Sequence, residues 1–158
     1  MLVSKQQPTT AYRRVLVAVD FSIHSIATLR FSHQIAPAAE FLVFHAYESP
    51  QETPLRQAVI PEQIIRQFDA HYGEQALSNM KNLCEKSEMP AGRTAFAAEC
   101  GDVKTFISAK AADWGADLIV LGKHGHSAVG ELLVGGVTRH TVARARCDVA
   151  VVPDWPRL

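Results

Sequence analysis

Short apolar runs alternate along the chain with longer stretches in which apolar residues recur at helical spacing. Five runs predict strands, four of them strong and a weaker one over 94–98. The strong runs are Val15–Val19, Phe41–Phe44, Asp117–Leu121 and Asp148–Val152. They are almost continuously apolar rather than alternating, which is typical of strands that are covered on both faces of a sheet.

Helices are predicted between the strands. Helical spacing begins near Ile26 and is closed by Pro37, and a second helix begins at Pro61 and reaches about Lys86. Asp102 is a candidate N-cap for a third helix, and the last helix covers Val137–Ala145. Strands that are separated by helices imply crossover connections. We therefore predict an α/β fold, Rossmann-like, with a five-stranded, mostly parallel sheet and helices on both faces.

The length and composition fit one soluble globular domain. The chain has 158 residues, of which 47% are hydrophobic and 20% charged. We predict that the domain covers residues 12–154, after a flexible N-terminal tail over 1–11 and before a short C-terminal tail over 155–158. Lysine plus arginine equals aspartate plus glutamate at 16 each. This balance gives no electrostatic reason to expect nucleic acid or an acidic membrane surface as a partner.

Cysteine usage and the apolar runs both bear on location. The polar first ten residues contain no apolar core of signal-peptide length, and no apolar run approaches the roughly 20 residues that a membrane-spanning helix needs. Cys84, Cys100 and Cys147 are odd in number and have no CxxC spacing, so we expect free, buried or half-buried thiols. A cytoplasmic location is the expectation.

The candidate chemistry lies after the fourth predicted strand, in the glycine-rich segment Gly122–Thr138. Gly122 and Gly125 allow a tight turn and close approach of the backbone to a ligand. The pair Gly135-Gly136 opens the last helix, where unpaired amides and the helix dipole favour an anion. The alternative is that the glycines serve only the turn. The combination favours a phosphate site.

Asp20 follows the first predicted strand. In open parallel sheets, ligands bind beyond the carboxyl ends of the strands, and a carboxylate there can accept hydrogen bonds from ribose hydroxyls or a base amine. The alternative is that Asp20 caps the helix that follows. The two roles are compatible, since one carboxylate can accept several hydrogen bonds.

A family resemblance is carried by these segments. The chain resembles the universal stress protein family, whose signature is Gly-x2-Gly-x9-Gly-(Ser/Thr), from about Tyr12 to Pro153. The resemblance is carried by Gly122, Gly125 and Gly135 at the signature spacing, by Arg14–Ser22 as the first strand with its aspartate, and by Cys147–Pro153 as the closing strand.

The resemblance implies an adenine nucleotide alpha hydrolase-like fold and a stress-response regulator that binds ATP or AMP, with or without Mg²⁺. It also implies a homodimer in which the last strand, Val149–Val152, pairs with its twin, and an unidentified protein partner. Carried over residue by residue, the nucleotide contacts would be Asp20, Val43, Gly101, Gly122, Gly125, His126, Gly135, Gly136, Val137 and Thr138.

One position departs from the signature. Its last residue is Ser or Thr, and this chain has Gly136 there. A hydrogen bond to a charged group is worth about 1.5–3 kcal/mol, or roughly ten- to hundredfold in affinity. We therefore expect weakened ATP binding, with the hydroxyl of Thr138 as a partial substitute, or a preference for a nucleotide with fewer phosphates.

Two alternatives of other classes stay open. Gly136 favours a nucleotide-free, dimeric interaction module of the same fold. A slow ATPase is the enzymatic alternative, but no GxSxG or GxxxxGK(S/T) motif is present, and we assign no catalytic residue. His124, His126 and His140 show no spacing that would converge on a metal ion, so we predict no metal site.

Overall fold

The computed structural model describes residues 1–5, 10–48, 60–123 and 134–153. Six strands form one sheet: β1 (Leu2–Val3), β2 (Arg14–Ala18), β3 (Glu40–Tyr47), β4 (Thr94–Cys100), β5 (Leu118–Gly122) and β6 (Asp148–Val152). Four helices connect them: α1 (Ser25–Ile35), α2 (Glu62–Lys86), α3 (Val103–Trp114) and α4 (Gly136–Arg144). One turn of 3-10 helix, Ala91–Arg93, precedes β4.

The sheet confirms the predicted α/β fold class. Its strand order is β1-β6-β5-β2-β3-β4, and all neighbouring strands are parallel except β1 and β6. Each of the five predicted strands is present, and the described residues add a sixth, β1, that was not predicted. This strand lies within the first eleven residues, which we predicted to be a tail.

Alternate residues of the strands pack into two separate hydrophobic cores, one on each face of the sheet. Val15 and Val17 point to the face that α1 and α2 cover, where they pack with Met80. Leu16 points to the opposite face, where it packs with Ile107 of α3. All five of these side chains are buried. Because burial of one such side chain stabilises the fold by about 1.5–3 kcal/mol, the two apolar faces of the strands hold the helices in place.

The ends of α3 follow local rules. The Asp102 carboxylate accepts a hydrogen bond from the Lys104 amide at 3.1 Å, which confirms the predicted N-cap. At the other end, Gly115 adopts the left-handed conformation, with φ of 72°, that commonly terminates a helix. The helix is therefore defined at both ends by residues next to it in the sequence.

Strand β1 covers the outer edge of β6. Leu2 pairs with Ala150 and Val3 with Val149 in antiparallel register. The buried carboxylate of Asp148 fastens this segment to the sheet. It accepts hydrogen bonds from the Lys5 amide at 2.6 Å and from the Tyr12 hydroxyl at 2.9 Å. The edge that we predicted to pair with a second copy of the chain is thus occupied by the chain's own N-terminal strand.

The cysteine prediction is confirmed. All three thiols are free, with Cys84 buried and the other two half-buried. Burial raises the pKa of the Cys84 and Cys147 thiols to about 11, so both stay protonated near neutral pH. Within the described ranges, no helix has the length and apolar character needed to cross a membrane.

Candidate functional site

The sheet reverses its direction of winding between β2 and β5. From β2 the chain proceeds through β3 and β4 on one side, whereas β5 and β6 lie on the other side. Helix α1, which follows β2, and helix α4, which follows β5, pack on opposite faces. The carboxyl ends of β2 and β5 therefore flank a crevice, which is the position where open parallel sheets bind ligands. Asp20 follows one of these strands, and Gly122 ends the other.

Helix α4 begins at this crevice without a cap. Gly135 is the N-cap residue and provides no side chain, and the first turn contains no acidic residue. The first amides of a helix have no partner within the helix, and the helix dipole makes them attractive to an anion. The start of α4 therefore offers backbone donors that no described side chain of the helix satisfies.

Hydrogen bonds fasten the start of α4 to the end of β5. The Thr138 hydroxyl donates to the Gly122 carbonyl at 2.9 Å, and the Gly135 amide donates to the Lys123 carbonyl at 3.1 Å. Thr138 is 3% exposed. Because its hydroxyl proton serves the Gly122 carbonyl, the expectation that Thr138 substitutes for the hydroxyl missing at position 136 loses its support. Thr138 instead holds the two elements of the site together.

Among the described residues, nothing around Gly136 requires glycine. Its backbone lies outside the left-handed region, and the one described atom that an added Cβ would meet within 4 Å is the Lys104 Cε, at 3.8 Å. Lys104 belongs to the first turn of α3, so the packing of α3 against α4 brings a cationic side chain to the start of α4. We did not predict Lys104 from the sequence. The sequence feature that could have pointed to Lys104 was its closeness to Gly101 and Asp102.

Asp20 shapes the turn between β2 and α1. Its Oδ1 accepts hydrogen bonds from the Ser22 amide at 3.0 Å and from the Ser25 hydroxyl at 3.1 Å. The N-cap residue of α1 is His24, which makes no capping hydrogen bond through its side chain. The carboxylate thus organises the turn that leads into the helix and contacts Ser25, the first residue of α1.

Gly101 is required by the packing of its neighbour. Its φ is +156°, and a Cβ on it would lie 2.2 Å from the nearest ring atom of Phe106. Its amide donates to the Tyr47 carbonyl at 2.8 Å, which ties the end of β3 to the turn after β4. The structure thus gives Gly101 a structural reason to be glycine, and its contact with a nucleotide stays a prediction.

Of three other predicted contacts, the structure describes one, Val43, and does not bring its side chain to the crevice. Val43 is fully buried in the middle of β3, paired with Val17 and Phe96, so it has no surface to present to a ligand. Gly125 and His126 lie outside the described residues. By contrast, Val137 follows Gly136 in the first turn of α4, as predicted.

Comparison with known proteins agrees with this geometry. The model of the Universal stress protein family matches residues 11–153. A Thermus aquaticus protein, described as the universal stress protein in the QAH/OAS sulfhydrylase 3' region, is 30% identical over 146 residues, which are 89% of this chain and 98% of the relative.

Two solved structures share the fold. Universal stress protein UspA from Lactobacillus plantarum has a TM-score of 0.68 at 24% identity, over 91% of this chain and 99% of that one. A universal stress protein in complex with cAMP has a TM-score of 0.62 at 23% identity, over 90% of this chain and 98% of that one. With a family match over nearly its whole length, this chain belongs to the universal stress protein family.

Proposed function

We propose that this universal stress protein binds an adenine nucleotide, ATP or AMP, at the crevice between β2 and β5, and that its bound state is a signal in the stress response. The observation that carries the proposal is the uncapped start of α4, fastened to the end of β5 beside the switch point of the sheet. The solved relative in complex with cAMP supports an adenine nucleotide as the ligand class.

The phosphates would lie against the start of α4. The amides of Gly136 and Val137 are unpaired within the helix, and the two glycines at 135 and 136 let a ligand approach the backbone closely. Lys104 adds a positive charge beside them. Asp20, across the crevice at the end of β2, would face the adenosine part, with or without Mg²⁺ at the phosphates.

The second candidate function is a nucleotide-free interaction module. Two observations favour it: residue 136 has no side chain, and the Thr138 hydroxyl is already used inside the protein. A phosphate would then find backbone amides and Lys104 but no hydroxyl donor among these residues. This module would act through a protein partner, and a slow ATPase is a third and lesser candidate.

The homodimer through Val149–Val152 also stays a proposal, with one condition added. Because β1 occupies the outer edge of β6, a second copy can pair there only after β1 has left. Self-association and the position of the N-terminal segment would therefore be coupled.

The cytoplasmic location is likewise a prediction.

Isothermal titration calorimetry tests the proposed function. The full chain is titrated with ATP, ADP and AMP, and we expect saturable heat with at least one of them. Asp20→Asn is expected to weaken ATP and AMP by the same factor, because it changes only the adenosine side. A folded protein that gives no heat with any of the three at millimolar concentration would favour the nucleotide-free module.

A further inference from the structure

A strained residue follows Asp20 directly. Phe21 has a φ of 61°, in the left-handed region, which costs a residue with a side chain about 1–2 kcal/mol. This conformation belongs to the turn in which the Asp20 carboxylate accepts hydrogen bonds from Ser22 and Ser25. Such a conformation persists only where the surroundings hold it in place. The side chain that holds it has no role in the proposed function so far.

That side chain is His45, near the carboxyl end of β3. Its ring centroid lies 4.4 Å from that of Phe21. Its Nδ1 lies 2.8 Å from the Val19 carbonyl oxygen. Because a carbonyl oxygen can only accept, Nδ1 carries the proton and donates it. His45 therefore holds the residue before Asp20 through a hydrogen bond and the residue after Asp20 through ring packing.

His45 is itself held firmly. It is 7% exposed, and its ring packs beside those of Tyr47 and Tyr72, with centroids 6.1 and 6.2 Å away. With the proton on Nδ1, Nε2 is an acceptor and faces the Tyr72 hydroxyl at 3.5 Å, the outer limit of a hydrogen bond. The Tyr47 and Tyr72 rings also contact each other at 4.4 Å. The imidazole is thus fixed by two elements, β3 and α2.

We infer that His45 is a positioning residue of the nucleotide site: it fixes the turn over 19–21 and thereby the orientation of the Asp20 carboxylate toward the adenosine. This inference rests on the proposed function. The inference adds to the proposed function the buried side chain through which β3 and α2 act on the crevice. The contacts described for His45 lie on the turn over 19–21, on β3 and on α2, so its effect is expected on the adenosine side.

The test combines three variants at this position with Asp20→Asn. His45→Leu removes both contacts, and we expect about tenfold weaker binding of both ATP and adenosine, the size of one lost hydrogen bond to a charged group. His45→Asn keeps a donor near the place of Nδ1 and is expected to restore part of the affinity. His45→Gln places its amide near Nε2 instead and is expected not to do so.

A double-mutant cycle separates positioning from a general loss of structure. If His45 acts through Asp20, then His45→Leu has no further effect on ATP affinity in the Asp20→Asn background. An equal penalty in both backgrounds, or wild-type affinity in a folded His45→Leu protein, overturns the inference. His33→Leu is the matched control, because that imidazole packs on Phe41 at the other end of β3 and should leave binding unchanged.

Hydrogen exchange measured without nucleotide distinguishes a failure of the inference from a failure of the proposed function. The Ser22 amide, which donates to Asp20, is expected to exchange its hydrogen at least tenfold faster in His45→Leu. The Glu40 amide, bonded to the Arg13 carbonyl at 2.8 Å, is the internal control and should not change. If the wild type binds no nucleotide, the proposed function fails. If Ser22 exchange is unaffected by His45→Leu, the inference fails by itself.

Discussion

Two glycines of the site have opposite reasons for being glycine. Gly101 is required, because its φ and the Phe106 ring leave no room for a side chain. At Gly136 the backbone is outside the left-handed region, and no atom of the described residues would crowd an added Cβ. Gly101 is therefore a structural constraint, whereas a substitution at Gly136 would change the chemistry of the candidate site.

Gly136→Ser is expected to tighten ATP binding by about tenfold or more. It adds a hydroxyl donor beside the first amides of α4, and its Cβ would be in ordinary contact with Lys104. Calorimetry with ATP and with adenosine measures the change, which should be absent for adenosine. Gly136→Ala is the matched control. If alanine tightens ATP binding as much as serine does, the hydroxyl is not the cause.

Gly101→Ala is expected to reduce the free energy of unfolding by about 2–4 kcal/mol, through left-handed strain and overpacking against Phe106. Urea unfolding of the variant measures it. Gly92→Ala serves as the control, since a Cβ there meets nothing within 4 Å, and it should change stability by less than about 0.5 kcal/mol. Similar stability of the two variants would contradict the packing account.

At the residue scale, the sequence predicted the position of those candidate residues that lie directly after a strand or before a helix. Asp20, Gly122 and Gly135 are such residues, because chain order alone puts them at the sheet's carboxyl edge. Contacts that cross between elements were not predictable. The Lys104 approach needs α3 beside α4, and the depth of Val43 depends on where β3 ends.

At the element scale, the local sequence was sufficient to predict each element that has its own apolar run or capping residue. The five predicted strands have apolar runs, and α3 has an N-cap and a terminating glycine. Strand β1 has only two residues, and its partner β6 is distant in the chain, so no local periodicity could reveal it. Its anchor is one buried carboxylate, Asp148, whose partners become visible only in three dimensions.

Tyr12 makes this anchor sensitive to alkaline pH. Burial, with the Asp148 hydrogen bond and charge, raises the pKa of Tyr12 to about 12, above its usual 10. A raised pKa means that Tyr12 contributes stability below pH 10 and loses it as pH rises through 12. We expect Tyr12→Phe to be less stable by about 1.5–3 kcal/mol at pH 7, the worth of one hydrogen bond to a charged group.

Unfolding free energies of wild type and Tyr12→Phe from pH 7 to 12 measure this effect. The gap between the two proteins should narrow above pH 10. Because lysines and the other tyrosines titrate in both proteins alike, the difference isolates Tyr12. A gap that stays constant to pH 12 would show that the phenol makes no contribution through its proton.

At the scale of the whole molecule, the two edges of the sheet differ. One edge is β4, and the other is β1, a two-residue strand that covers the longer and fully buried β6. An unpaired edge is a template for another chain, and a short covering strand is one way to blunt it. The chain thus carries its own cover for the edge through which a homodimer is proposed.

Deletion of residues 2–5 is therefore expected to raise self-association. It removes β1 and the Lys5 amide from Asp148 while leaving β6 itself unchanged. Sedimentation velocity over a concentration series should show the deleted protein shifted toward dimers relative to the full chain. Leu2→Ala is the control, since it keeps the backbone pairing and changes a half-exposed side chain. An unchanged monomer–dimer equilibrium after deletion would contradict competition for this edge.

The pairing of β1 with β6 also sets an order of events during synthesis. Lys5 and Asp148 are 143 residues apart, so β1 leaves the ribosome long before its partner exists. At 5–20 residues per second, the wait is roughly seven to thirty seconds. The parallel strands β2 to β5 can assemble in that interval, before β6 and its covering strand β1 are in place. The N-terminal segment then pairs with β6 as the final step. Until it does so, the edge of β6 in a newly made chain is accessible to another copy that is translated from the same mRNA.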